Sequence, residues 1–270
     1  MSESTTTTAT TPVDSRKALL EVDDVTIRFG GVAALDSVTF DIKEGEILGL
    51  IGPNGAGKTT CFNVMTGVYQ ATSGEVRFDG QTLAGRKRFE ITKLGIARTF
   101  QNIRLFKAMT ALENVMVGFD ARSKVGLLNA LFRTPLHRRT EAEAEQTAIE
   151  LLEFVGVSGR AEELAENLSY GDQRRLEIAR AMATKPKLLC LDEPAAGFNP
   201  AEKQRLMALI RKVRDQGYTV LLIEHDMRLV MGVSDRIVVL EFGRKIAEGT
   251  PAEVQRNDDV IRAYLGTTKA

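Results

Sequence analysis

The sequence predicts an α/β fold with a parallel sheet and an inserted helical lobe, and three observations carry that reading. Late in the chain, the strand-length apolar runs KLLCLDE, YTVLLIEHD and DRIVVLEFG, with the helix-like EKQRLMALIRKVRDQG between the first two, make a βαβ rhythm. Early in the chain, the apolar stretch EILGLI runs directly into a Gly-rich loop and a helical start at about Lys58. Between the two, from about Ile103 to Ala181, the segments ALENVMVGF, RRTEAEAEQTAIELLEFVGV and QRRLEIARAMAT repeat apolar residues every three or four positions.

Taken in order, residues 1–17 are Ser/Thr-rich with little to bury and are expected to be a disordered tail. Residues 18–270 are expected to form one two-lobed domain, with 18–101 and 182–270 as the α/β core and 102–181 as the helical part. LEVDDVTIRFGG and SVTFDIKEGEILGLIG read as short strands broken by turn residues, the last one continuously apolar and so buried on both faces. GEVRFDGQTL adds a further strand and turn.

Bulk composition narrows the function. The chain has 270 residues with 36 Lys plus Arg against 36 Asp plus Glu, so no overall field draws it to nucleic acid or anionic lipid. No run approaches the roughly eighteen apolar residues of a spanning helix, and MSESTTTTAT lacks the apolar middle of a signal peptide, so the chain is expected to stay in the cytoplasm. Cys61 and Cys190 lack metal-ligand spacing and are expected to be buried, reduced thiols.

The loop after EILGLI reads Gly52, Pro53, Asn54, Gly55, Ala56, Gly57, Lys58, Thr59, Thr60, the G-x4-G-K-T pattern of a phosphate-binding loop in its required place between strand and helix. Backbone amides and a helix N-terminus there attract phosphate oxygens, Lys58 adds positive charge, and Thr59 offers a hydroxyl to Mg²⁺. KLLCLDEP ends a strand in two acids. Asp192 is suited to hold Mg²⁺ and Glu193 to polarise a water that attacks a terminal phosphate, although acids after strands are also common turn residues.

LSYGDQRRLEIARAM, about twenty residues before the acidic strand, resembles the signature of the ABC ATPase family, whose form is L-S-G-G-Q. That resemblance implies a P-loop NTPase core with a mixed β-sheet, an antiparallel β subdomain and an inserted α-helical subdomain. It also implies that Ser169 and Gly171 close on ATP held by a second, homologous or identical, ATPase subunit. Tyr170 and Asp172 depart from the pattern, and Asp172 is expected to turn toward its helix's amides rather than toward phosphate; Ser169 is equally readable as a plain helix cap. By the same resemblance Phe29 stacks on adenine, Gln101 touches Mg²⁺ and the attacking water, and His225 bonds the terminal phosphate. The bland alternatives are a hairpin aromatic, a polar loop residue and, among the histidines, competition from His137 in the basic run LHRR. Asn199, in AAGFNP, stands where the family's contact loop has aspartate.

Within the family, EPAAGFNP, IEHDMRLVM and IAEGTPAEV look like the branched-chain amino acid uptake ATPases. The implied assembly is a peripheral subunit on the cytoplasmic face of the inner membrane, using ATP and Mg²⁺. Two transmembrane permease subunits and, indirectly, a secreted solute-binding protein complete it, with no nucleic acid. Urea or amides are alternative cargoes. A soluble, non-transport ABC ATPase is the other alternative, disfavoured because such chains usually carry a coiled-coil insertion or two ATPase units. Leu105 and Phe106, after Gln101, are candidates either for a permease-docking surface or for the lobe's core.

Overall fold

In the computed structural model, residues 16–120 and 135–265 are described. The tail expectation for residues 1–15 lies outside them, and so does the side chain of His137. Lys17 is described, and its ammonium lies 2.5 Å from the Asp79 carboxylate.

Two sheets meet. The first is antiparallel, in the order β2-β1-β4-β5, built from β1 (Ala18–Phe29), β2 (Val32–Lys43), β4 (Ser73–Phe78) and β5 (Gln81–Thr82). The second has the order β10-β9-β3-β8-β7-β6 and is parallel from β9 to β6, with β10 antiparallel at its edge. Its strands are β3 (Ile47–Ile51), β6 (Ile96–Arg98), β7 (Leu188–Asp192), β8 (Thr219–Ile223), β9 (Arg236–Glu241) and β10 (Arg244–Gly249). The mixed sheet and the antiparallel sheet expected from the resemblance are therefore both present.

Strands β3, β7 and β8 are buried along their whole length, as their unbroken apolar runs require. Their period of two sends alternate side chains to two separate cores. Ile47, Leu189, Leu191 and Leu222 join the helical side, while Leu48, Leu50, Cys190 and Leu221 join the antiparallel sheet and Phe62. At about 1.5–3 kcal/mol for each large apolar side chain removed from water, these two layers are the main source of stability.

One expectation is corrected. β1 and β2 are single strands of 12 residues each, where the interspersed polar residues had suggested short pieces. Register shifts interrupt their pairing, and Asp24 and Ser37 take left-handed backbone angles of φ 48 and 52 degrees. Each break is bridged by a hydroxyl from across the hairpin: the Asp24 amide donates to Thr39 Oγ1 at 2.9 Å, and the Ser37 amide to Thr26 Oγ1 at 3.0 Å. The bulges let the strands continue while polar residues face outward.

The described helices of the middle segment are α3 (Ala111–Asp120), α4 (Pro135–Val155) and α5 (Tyr170–Ala183), which pack on one another through Val115, Leu152 and Leu176. Three helices follow strands of the second sheet in sequence: α1 (Lys58–Met65) after β3, α6 (Pro200–Asp215) after β7 and α7 (Met227–Val233) after β8. α2 (Arg88–Leu94) precedes β6, and the chain closes with α8 (Pro251–Gln255) and α9 (Asp258–Leu265). Cys61 and Cys190 are both buried and unbridged.

Candidate functional site

The phosphate-loop segment leaves β3 at Gly52, where φ is 153 degrees and an added Cβ would stand 2.2 Å from the Leu240 carbonyl oxygen, so no side chain fits without moving β9. The loop is tied outward as well, since Gly243 N donates to Ala56 O at 3.0 Å. Gly57 precedes α1 with φ 99 degrees and makes no side-chain cap, which leaves the helix's first amides without an acceptor from a cap residue. Lys58 is buried, and its Nζ donates to Gly52 O at 2.7 Å and Pro53 O at 2.9 Å. Burial pushes its ammonium below the usual lysine range, and the Glu193 charge opposes that shift.

Residues Asn54 to Thr60, with Glu193, line a cavity of about 440 Å³. Its far wall is Val32, Ala33 and Ala34 from the start of β2. Phe29, just before that turn, is 50 % exposed and meets Tyr69 edge-on with ring centroids 5.3 Å apart, and it is not among the residues that line this cavity.

Asp192 is the last residue of β7, buried, with its carboxylate 3.8 Å from the Arg98 guanidinium. Burial pushes the Asp192 carboxyl above its ordinary range, and Arg98 counters this only in part. Glu193 follows with a left-handed backbone, φ 45 degrees, held by its amide donating to Ile223 O at 2.9 Å. A non-glycine residue in that region costs about 1–3 kcal/mol and persists only where the surroundings enforce it. Here it turns Glu193 into the cavity while Asp192 stays in the strand. Gln101 Nε2 donates to Glu193 Oε2 at 2.8 Å, and His225 Nδ1 lies 3.9 Å from the same oxygen.

The structure therefore brings together the phosphate-loop segment, Glu193, Gln101 and His225. Ser169 and Gly171 line no part of that cavity and sit at the start of α5. Ser169 caps α5 by accepting from the Asp172 amide at 3.2 Å. The expectation for Asp172 is corrected: its carboxylate accepts the Ser169 hydroxyl at 2.7 Å and pairs with Arg175, with Arg160 at 3.8 Å. Two guanidiniums outcompete the helix amides, one of which Ser169 already satisfies. Asn199 caps α6, accepting from Glu202 N at 3.0 Å in a reciprocal capping box, a task asparagine and aspartate perform about equally.

Several residues escaped the sequence reading. Glu224 is fully buried and accepts from the amides of Ala195, His225 and Asp226, so one carboxylate shapes the loops carrying both Glu193 and His225. Its place beside His225 was the only available signal. The Arg98 guanidinium lies between the Phe62 and Phe100 rings, 4.5 and 4.6 Å from their centroids, and donates to Asn63 and Thr66. Tyr264 on α9 is partly buried, which pushes its phenol up to about 12, and the nearby Gly52 backbone opposes that shift.

A divalent cation fits the donor set. Thr59, Gln101 and Asp192 supply a few hard oxygens of the kind Mg²⁺ uses alongside water and phosphate, and Asp192 is a buried carboxylate whose nearest guanidinium is not in hydrogen-bond contact. Among the described residues no cluster of three or more His, Cys, Asp or Glu forms a self-sufficient metal cage.

Comparison with known proteins shows the family and the fold. The ABC transporter family model matches residues 35–196, and that of the branched-chain amino acid ATP-binding cassette transporters matches 244–270. The chain is 51 % identical over 251 residues to the high-affinity branched-chain amino acid transport ATP-binding protein BraF of Pseudomonas aeruginosa, covering 93 % of this chain and 98 % of that one. It is 50 % identical to LivG of Escherichia coli K12, over 92 % and 98 % of the two chains. Among solved structures, an ATP-binding cassette of an ABC transporter in its ADP conformation superposes with a TM-score of 0.81 at 33 % identity, covering 93 % and 99 % of the chains. A dimeric cassette in a post-hydrolysis state bound to ADP and Pi gives 0.72 at 28 %, covering 86 % and 98 %.

Proposed function

The chain belongs to the ABC transporter ATP-binding family, and from that premise we propose that it is the ATP-hydrolysing subunit of an importer for branched-chain or other hydrophobic amino acids. The observation that carries the chemistry is the meeting of Gln101 and Glu193 at 2.8 Å beside the phosphate loop. Glu193 accepts a proton from the attacking water, Gln101 and His225 orient that water against the terminal phosphate, and Lys58 with the 52–60 amides holds the phosphates. Phe29 stacks on the adenine. Mg²⁺, when bound by Thr59, Asp192 and Gln101, would neutralise phosphate charge.

Ser169 and Gly171, being apart from this cavity, serve the nucleotide of a second ATPase subunit, so a complete site takes two chains. Residues 102–181 act as the helical part and 18–101 with 182–270 as the ATPase core. No helix among the described residues is long and apolar enough to cross a membrane. In this reading the chain is peripheral at the cytoplasmic face of the inner membrane, two transmembrane permease subunits carry out translocation, and a secreted solute-binding protein feeds them. Reconstitution in vesicles with the permeases, the second ATPase subunit and the solute-binding protein tests the proposal: ATP should drive uptake of labelled leucine. Hydrolysis without uptake of leucine, isoleucine or valine would reassign the cargo, and no hydrolysis at all would reject the enzyme.

A further inference from the structure

Arg174 is the largest fully buried side chain among the described residues, and nothing in the chemistry above uses it. Its Nη1 donates to Phe100 O at 2.6 Å and to Glu177 Oε2 at 3.1 Å; its Nη2 donates to Gln101 O at 2.7 Å and to Tyr170 Oη at 3.1 Å. Glu177, also buried and one turn along α5, accepts from the amides of Phe100 at 3.3 Å and Arg104 at 3.4 Å. One ion pair on α5 thus grips the Gln101 segment by both polarities of its backbone. The cation takes two carbonyls and the anion takes two amides.

Tyr170 extends this grip to α5's first residue. The residue stands between Ser169 and Gly171, 47 % exposed, and its ring meets edge-on, centroids 6.0 Å apart, the ring of Phe198 in the loop that follows Glu193. Its hydroxyl is at the clamp and its ring is at that loop. An apolar pair could fill the same volume but would leave two carbonyls and two amides of the Gln101 segment without these partners, so the charges here hold a backbone position as well as occupy space.

We propose that Arg174, Glu177 and Tyr170 form a positioning clamp that fixes the backbone of Gln101 to the helix beginning at Ser169. A displacement of the Ser169 end then moves Gln101 relative to Glu193, and a nucleotide contact made at Ser169 and Gly171 is carried to the hydrolytic groups of the same chain. The inference rests on the hydrolysis reading above, since the placement of Gln101 matters to turnover only if Glu193 acts on water.

The test uses the full chain, with kcat and KM for ATP, melting temperature, and hydrogen exchange at the Phe100 and Arg104 amides. Tyr170→Phe removes one hydrogen bond and should lower kcat about 3-fold with KM unchanged, and Arg174→Lys, which keeps the charge but cannot fork to two carbonyls, about 10-fold. The double variant Arg174→Met, Glu177→Leu leaves those four backbone groups without their partners, so it should melt below the parent, lose at least as much kcat where it is folded, and exchange its two amides about 10-fold faster. A merely structural pair would shift melting and leave kcat of the folded protein alone. Parent kcat and parent exchange in a folded double variant would overturn the clamp. If that variant does not fold, parent kcat in both Tyr170→Phe and Arg174→Lys overturns it. If the parent itself hydrolyses nothing, the hydrolysis reading has failed, and amide exchange at Phe100 and Arg104 still decides whether the clamp exists.

Discussion

Gln101 Nε2 and Glu193 Oε2 are 2.8 Å apart although 92 positions separate the residues in sequence. The bond holds the carboxylate beside the phosphate loop, facing Lys58 across the cavity. Glu193→Gln should keep ATP affinity and lower hydrolysis by about two to four orders of magnitude, the range for losing a positioned general base. Lys58→Ala should instead weaken ATP binding, because it removes the buried charge from the loop. Titration with a fluorescent nucleotide and a phosphate-release assay separate the two; equal affinity in the lysine variant would reject the loop assignment.

The second expectation concerns the two thiols. Cys61 and Cys190 are buried, and burial pushes both up to about 12, so at pH 8 neither offers appreciable thiolate. Iodoacetamide should leave the folded chain unlabelled and modify both cysteines after denaturation, as read by intact mass. Rapid labelling of the native chain would show that the sheet opens at Cys190 or that α1 opens at Cys61.

Asp79 sets a pH signature. Hydrogen bonds from Lys17 and Lys187, each at 2.5 Å, hold its carboxyl down to about 2. A folded-state value below the unfolded one, roughly 4, contributes stability above pH 4 that is lost as the pH falls through 2. Asp79→Asn should therefore melt lower than the parent at pH 7, and the difference should narrow below pH 4. Because the cluster is exposed, added salt should shrink it too. A gap independent of pH and salt would point to packing instead.

The surface after Gln101 divides the two readings of Leu105 and Phe106. Leu105 packs against the core, whereas Phe106 is 48 % exposed with the Arg180 guanidinium 5.6 Å from its ring centroid. Phe106 also lines a cavity of about 420 Å³ with Val117 and Gly118 of α3. Phe106→Asp should leave folding and ATP hydrolysis of the isolated chain near the parent and abolish co-purification with the permeases. Unfolding of the variant would make Phe106 a core residue; normal transport would move the docking surface elsewhere.

By itself the sequence determined whatever depends on neighbours along the chain. Periodicity marked β3, β7 and β8 and the three middle helices, and local motifs marked the phosphate loop, Asp192 and Glu193, because strand burial, helix faces and phosphate loops are written in spacings of a few residues, whereas Gln101 and His225 were reached only through the family resemblance. Tertiary structure decided what depends on partners tens of residues away. Arg174 and Glu177 read as ordinary charges on an amphipathic helix until folding put the Phe100 and Gln101 backbone 73 to 77 positions away against them. Asp172 looked bound for its own helix amides, and only the folded arrangement set Arg160 beside it. β1 and β2 seemed broken because the hydroxyls that bridge their bulges lie across the hairpin, 11 and 15 positions distant. A charged side chain's partner is chosen by desolvation and geometry in the finished fold, and no local pattern encodes that choice.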